Sequence, residues 1–381
     1  YMADYNRAMN YQLSALNTTD NDTYKATSYI IIGGIYEKLD DYSKALECYE
    51  KSLKIRLSVY GENDEIVAND YERMGQIYFA QDDCSKALEY YEKSLNIYLM
   101  IYGENASWGI ANVSIGMGRV YSNQGDYSKA LVCFEGALKI FLLLNGDNHP
   151  AVATSYSYIG QIYFAQNDYS KALDYFKKSL NLDLSFFGEV ASGYYNIGYV
   201  YFAQGDYSKA LEYFEEVLKI RLSVYGENHS RVASVYNDIG EIYSVQGDDF
   251  KALDYFKKSL KIVLSVYGEN HSQVSSIYDH IGEVYFAQKD YSKALYYFEE
   301  SLKIRLSLFG ENHPEVALSY YSIGSLYIIQ GDKSKALNYY EKSLKIRLSV
   351  YGENHPLTKE IMDLINVAAN SKVLQSPETT K

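Results

Sequence analysis

Five of the six histidines share one setting, Asn-His-Pro or Asn-His-Ser, at His149, His229, His271, His313 and His355. Imidazoles that serve a metal or a nucleophile must converge on one point. Side chains spaced by about 42 residues along a repeating chain do not converge, so these five read as helix-start residues. His280 is the exception, a lone imidazole beside Asp279 and Glu283, expected to be solvated. Cys48, Cys84 and Cys133 lack metal-ligand spacing and read as small apolar packing residues in a reducing compartment. Gly116-Met-Gly118-Arg-Val-Tyr121 has the glycine spacing of a phosphate loop, but no strand precedes it. Carboxylates are plentiful, yet most face lysines one helical turn away, as Glu50 faces Lys54. The expectation is a non-enzyme with no catalytic constellation, no cofactor and no metal.

The whole chain, 381 residues with a formal charge of −13, has an acidic balance unsuited to a phosphate backbone, which excludes nucleic acid as a natural partner. The densest apolar run, Ile140 to Leu144, is far short of the roughly 20 residues of a membrane span. Tyrosine is heavily used, 44 copies against 14 Phe and one Trp, as suits half-buried seams whose hydroxyls reach water. No signal-peptide pattern is seen, and a cytoplasmic location is expected. Six Asn-x-Ser/Thr sequons, starting at Asn17, Asn21, Asn105, Asn112, Asn228 and Asn270, and an opening Tyr1 in place of Met leave a secreted or cell-surface location as the alternative.

The elements that must position any site come from a repeat. Ser-Lys-Ala-Leu begins at Ser43, Ser85, Ser128, Ser170, Ser208, Ser292 and Ser334, with Phe250-Lys-Ala-Leu filling the gap. The alanines are spaced by 42, 43, 42, 38, 42, 42 and 42 residues, and a glycine lies 12 residues before each, from Gly33 to Gly324. Two helical patterns alternate within a unit. Tyr236, Ile239, Gly240 and Tyr243 mark one face of a first helix. Tyr291, Leu295, Phe298, Leu302, Leu306 and Phe309 stripe a second, with Lys293, Glu299, Glu300, Lys303 and Arg305 expected mostly on its wet side. Gly205 suits a left-handed helix end, Asp206 the next N-cap, and Pro314 the first turn of a helix. Small residues such as Gly240 and Ala252 let backbones approach.

The units predicted are a half repeat 1–21 holding only a second helix; repeats 22–63, 64–105, 106–148 (one residue longer), 149–190, 191–228 (four residues shorter), 229–270, 271–312 and 313–354; a half repeat 355–372; and a polar tail 373–381. The shortened fifth repeat predicts a division of the array near residue 190.

Glycine, an aromatic three residues on, alanine twelve on, an aromatic sixteen on and a small residue nineteen on, as in Gly240, Tyr243, Ala252, Phe256 and Ser259, resembles the tetratricopeptide repeat. The 42-residue period with its Tyr-Gly-Glu-Asn-His-Pro connector is similar to the kinesin light chain-like subclass. The resemblance implies an all-α, right-handed α-solenoid of helix-turn-helix repeats whose first helices line a concave, protein-binding groove. Carried over by position, the groove offers Phe79, Phe164, Phe202 and Phe286 along one wall, with Glu72, Arg73, Gln76 and Arg119 early. Tyr195, Asn196, Tyr199, Asn237, Asp238, Glu241, Asp279, His280 and Glu283 follow later. With only Lys38, Arg73 and Arg119 as groove cations, a clamp for a C-terminal carboxylate is not expected. The expected ligand is a basic or aromatic segment, its Lys or Arg held by Asp238, Glu241, Asp279 and Glu283 and stacked on Phe202 and Phe286.

A second reading is structural. The opening half repeat carries Tyr5, Ala8, Met9, Leu13 and Leu16, and the closing one Ile361, Leu364 and Ile365. One molecule's tail could complete the next molecule's head, giving an open, head-to-tail filament.

Overall fold

The computed structural model describes residues 2–39, 41–103, 105–182 and 187–370; the side chains of residues 2–6, 15, 17, 18, 187–189 and 370 fall outside the described set. Among the described residues there are helices and no strand. In chain order they are α1 (Met2–Thr18), α2 (Asp22–Lys38), α3 (Tyr42–Tyr60), α4 (Glu65–Ala80), α5 (Cys84–Tyr102), α6 (Trp108–Asn123), α7 (Tyr127–Asn145), α8 (Pro150–Ala165) and α9 (Tyr169–Leu182). There follow α10 (Phe187–Ala203), α11 (Tyr207–Tyr225), α12 (Ser230–Val245), α13 (Asp249–Tyr267), α14 (Ser272–Ala287), α15 (Tyr291–Phe309), α16 (Pro314–Ile329), α17 (Lys333–Tyr351) and α18 (Pro356–Asn370). The helices group into two units, Tyr1–Val200 and Tyr201–Lys381. Within each unit consecutive helices pack on one another, as α4 does on α5 and α12 on α13. The residues of the expected polar tail, 373–381, lie outside the described set.

From α3 onward each second helix begins on an aspartate. Asp206 accepts from the backbone N–H of Lys209, and Asp41, Asp83, Asp126, Asp248, Asp290 and Asp332 do the same three residues ahead. The capped lysine then folds back: Lys209 Nζ lies 2.7 Å from Asp206 Oδ2 and 4.9 Å from the centre of the Tyr201 ring. Gly205, just before the cap, has φ 77°. Where glycine is missing, Asp82, Asn167 and Lys289 accept the left-handed conformation at φ 60–61°. The repeated histidines start first helices, as their spacing suggested. His229 Nδ1 accepts from the N–H of Arg231 at 3.1 Å, and its ring stacks on Tyr225 at 4.5 Å. His271 and His313 stack in the same way on Tyr267 and Phe309.

Inside a hairpin the glycine and the aromatic sixteen residues on are one device. A Cβ at Gly240 would stand 2.7 Å from the Phe256 ring, so the ring occupies the missing side chain's place. The small residue nineteen on adds a bond that spacing did not reveal. Ser259 Oγ donates to the Ala233 carbonyl at 2.8 Å, and Ser94, Ser179 and Ser343 reach Ala68, Ala153 and Ala317 identically. Tyrosine pairs line the hairpins as foreseen, for example Tyr243 stacked on Tyr255 at 5.6 Å with Lys258 over the latter ring.

One expectation is corrected. Arg305, placed on the wet side by its helical pattern, is buried at 5% exposure. Its Nη2 lies 2.8 Å from both Asp279 Oδ2 and Glu315 Oε2, and its Nη1 donates to Ser319 Oγ at 2.8 Å. The stripe is wider than a lone amphipathic helix needs, because each second helix meets a neighbouring hairpin as well as its own partner. The same helix position gives Arg56 to Asp70, Arg221 to Ser234, and Arg347 to the Leu357 carbonyl. Cys48 is buried and Cys84 and Cys133 are half-buried; all three are free thiols, and burial pushes the Cys48 and Cys133 thiols up.

Candidate partner-binding groove

In the second unit, Phe202, Glu241, Ser244, Val245, Phe256, His280 and Glu283 enclose a recess of about 200 Å³. The first helices supply most of this lining, and Phe256 from α13 closes its floor. Ser244 holds the helix position that carries phenylalanine in the repeats before and after it, Phe202 and Phe286. A hydroxymethyl between two benzyl groups leaves the space open. Asn237 ties the edge together: its Nδ2 donates to Glu241 Oε1 at 2.7 Å and its Oδ1 meets His280 Nδ1 at 3.0 Å. His280 Nε2 lies 3.6 Å from Glu241 Oε1, and the imidazole packs against Phe256 at 5.2 Å. His280 is therefore half-buried and hydrogen-bonded, not solvated as its lone position in sequence suggested.

Burial dominates the electrostatics. It pushes Glu241 up to about 7, with the Asp238 charge adding to the rise and the Asn237 bond opposing it. Burial, helped by the Arg305 charge, pushes His280 down to about 4, so the ring is neutral at physiological pH. Glu283 is also raised, by burial and then by Asp279. Of the four carboxylates expected to grip a cation, Glu241 and Glu283 line the recess. Asp279 is bound by Arg305. Asp238 is buried and lines a smaller recess of about 130 Å³ with Ser234, Ser259 and Gln273. Phe202 and Phe286 are half-buried, packed at 5.8 Å and 5.9 Å on Tyr207 and Tyr291. They brace their own hairpins as well as forming wall.

The first unit repeats the recess with different chemistry. Phe79, Arg119, Ser122, Asn123, Phe134, Tyr158, Gln161 and Ile162 enclose about 220 Å³. Position by position Arg119 stands where Glu241 does, Tyr158 for His280, Gln161 for Glu283 and Ser122 for Ser244. The Arg119 guanidinium lies 5.0 Å over the Phe79 ring. Ser122 and Ser244 were missed from sequence. The usable signal was the order Phe79, Ser122, Phe164, Phe202, Ser244, Phe286 at one helix position. Phe164 packs on Tyr169 at 5.8 Å. Tyr195 and Asn196 line a separate polar recess of about 350 Å³ with Thr154, Ser157 and Gln161, and Tyr199 meets Tyr195 ring-to-edge at 4.9 Å.

The end residues are placed variously. Ala8 and Leu13 are exposed, Met9 and Leu16 half-buried, and the Tyr5 side chain lies outside the described set. Ile361 is buried, while Leu364 and Ile365 are half-buried. Among the described residues no group of three or more His, Cys, Asp or Glu is arranged to hold a metal, and no helix is long and apolar enough to cross a membrane.

A family model for the tetratricopeptide repeat matches residues 24–100, 109–185, 189–265, 232–307 and 273–349. The chain belongs to the tetratricopeptide repeat family. Comparison with curated protein sequences returned no match. Among solved structures the chain is similar to BtubC (BKLC) from P. vanneervenii, at 22% identity and TM-score 0.51, covering 61% of this chain and 92% of that one. It is similar to the tetratricopeptide-sensor STAND protein PH0952 from Pyrococcus horikoshii at 15% identity and TM-score 0.61, over 96% of this chain and 54% of that one. The apo form of RapI matches at 17% identity and TM-score 0.54, over 74% and 97%. At such identities the likeness is one of fold.

Proposed function

We propose that this chain is a non-catalytic protein-binding scaffold, and that its second unit takes a Lys or Arg side chain of a partner segment into the recess of Phe202, Glu241, His280 and Glu283. Tetratricopeptide repeats generally mediate protein–protein interaction. The observation that carries the finer reading is the recess itself: about 200 Å³, walled by an aromatic ring, with two carboxylates and a neutral imidazole at its rim. A charged hydrogen bond contributes about 1.5–3 kcal/mol and a cation over an aromatic face about 0.5–2 kcal/mol. One such anchor is a hot spot and not a whole interface, so the flanking groove must supply the remainder.

The test is a peptide library biased in Lys and Arg, read by fluorescence anisotropy against the wild-type chain and Glu241→Lys/Glu283→Lys. Charge reversal at both positions is expected to weaken the selected peptides at least about a hundredfold, about 2.7 kcal/mol. Affinity that survives the double reversal sinks the reading. Self-association through the end helices is the second reading; exposed Tyr11 and Leu13 on α1 and Val367 on α18 favour it. Monomers in sedimentation at high concentration would exclude it.

A further inference from the structure

Asn237, His280 and Glu241 form a closed ring of polar contacts, and the amide settles where the hydrogens are. An asparagine side chain has one donating end and one accepting end. Its Nδ2 donates to Glu241 Oε1 at 2.7 Å, so its Oδ1, 3.0 Å from His280 Nδ1, accepts. The imidazole hydrogen is therefore on Nδ1, and a neutral ring presents the Nε2 lone pair to Glu241 Oε1, 3.6 Å away. An ionised carboxylate is also only an acceptor. Two acceptors facing each other at this range, in a half-buried edge, are stabilised by a hydrogen between them. We propose that the empty recess holds one proton shared by Glu241 and His280, and that a partner's ammonium or guanidinium enters in exchange for it.

The surroundings agree on where the proton rests. Glu241 meets the charge of Asp238 from its own helix and of Glu283 from α14, both of which favour its acid form. Arg305 on α15 faces the imidazole from the other side and opposes a charge on it, while Asp279 is already bound to that arginine. Phe202 and Phe256 bring no charge. Glu241, raised to about 7, outcompetes His280, lowered to about 4, so the hydrogen sits on the carboxyl and points at Nε2. The exchange balances: the carboxyl O–H ionises, its proton leaves to water, and the incoming cation replaces that positive charge beside the carboxylate. Site charge is conserved, and the recess reads both the cation and the pH.

This inference rests on the binding function proposed above, and the experiment separates the two. With the tightest Lys- or Arg-bearing library peptide as probe, calorimetry at pH 6 in buffers of different ionisation heat is expected to show close to one proton released per peptide. At pH 8.5 release is expected to vanish, with affinity about tenfold higher at pH 8 than at pH 6. Glu241→Gln should abolish both the release and the pH dependence. Ligand-free, nitrogen NMR of the His280 ring should report hydrogen on Nδ1 and no titration until below pH 5. Binding without proton release, or a His280 that titrates near pH 6.5, overturns the exchange and leaves the scaffold standing. Failure of any cationic peptide to bind at any pH overturns both.

Discussion

Arg305 Nη2 stands 2.8 Å from Asp279 Oδ2, and through that contact, its equal with Glu315 and its bond to Ser319, one guanidinium joins α14, α15 and α16. A buried ion pair loses heavily when one partner is removed, because the other charge is stranded. Arg305→Met, which strands the Asp279 carboxylate, is therefore expected to cost about 3–5 kcal/mol in urea unfolding followed by circular dichroism. The paired exchange Arg305→Met/Asp279→Leu should recover most of that loss. A single-variant cost below about 1 kcal/mol would falsify the view that this contact holds the seam.

Two glycines separate packing from backbone freedom. At Gly240 an added methyl meets the Phe256 ring at 2.7 Å, whereas at Gly136, inside α7, it meets nothing within 4 Å. Alanine gains about 1 kcal/mol over glycine within a helix, and overpacking costs about 1–3 kcal/mol. We expect Gly136→Ala to raise the thermal midpoint and Gly240→Ala to lower it. Equal shifts in the two variants would remove the argument that the ring fills the glycine's space.

The raised and lowered titrations set opposite pH dependences. Glu241, moved up from 4.5 to about 7, contributes stability that is complete below pH 4.5 and lost as pH rises through 7. His280, moved down from 6.5 to about 4, contributes stability that is complete above pH 6.5 and lost as pH falls through 4. Asp70 and Asp279, each raised to about 6 by burial against the pull of Arg56 and Arg305, act in the sense of Glu241 but finish at lower pH. Between pH 6.5 and about 8 the Glu241 contribution dominates. Across that window the wild-type midpoint should fall relative to Glu241→Gln. A constant difference between the two proteins would contradict the assignment.

The recess exists because serine interrupts a row of phenylalanines. Ser244→Phe should fill it, weakening a selected cationic peptide by more than about tenfold while leaving the thermal midpoint unchanged within error. Ser122→Phe, the same change in the first unit, should leave that peptide's affinity alone. Matching losses in both would place the anchor elsewhere.

The fold was largely readable because its determinants are local. Asp206 as cap, Gly205 with φ 77°, His229 at a helix start and Gly240 against a neighbour all follow from residues within one 42-residue phrase. The site was readable only as a set of positions. Glu241 and Glu283 line the recess, whereas Asp279 pairs with Arg305, 26 residues downstream on another helix. The polar stripe pattern hid that arginine, since helical periodicity distinguishes one helix's two faces and not the third contact that a stack imposes. Ser244 was invisible for a related reason: a small residue announces nothing until the side chains of three successive repeats surround it.

The seam arginines carry one more consequence. Eight nearly identical hairpins could in principle dock in the wrong order, since their glycine–aromatic and serine–carbonyl fittings are interchangeable. The position of Arg305 is not the same in every hairpin: Arg56 meets Asp70, Arg221 meets Ser234 and Arg347 reaches the Leu357 carbonyl, whereas Tyr98 crowds Gly109 and Val263 is buried. A misplaced neighbour would strand a guanidinium against hydrocarbon or drive a ring into a backbone. In a chain that otherwise repeats itself, these keys separate the hairpins that carry arginine from those that carry a ring or an aliphatic chain.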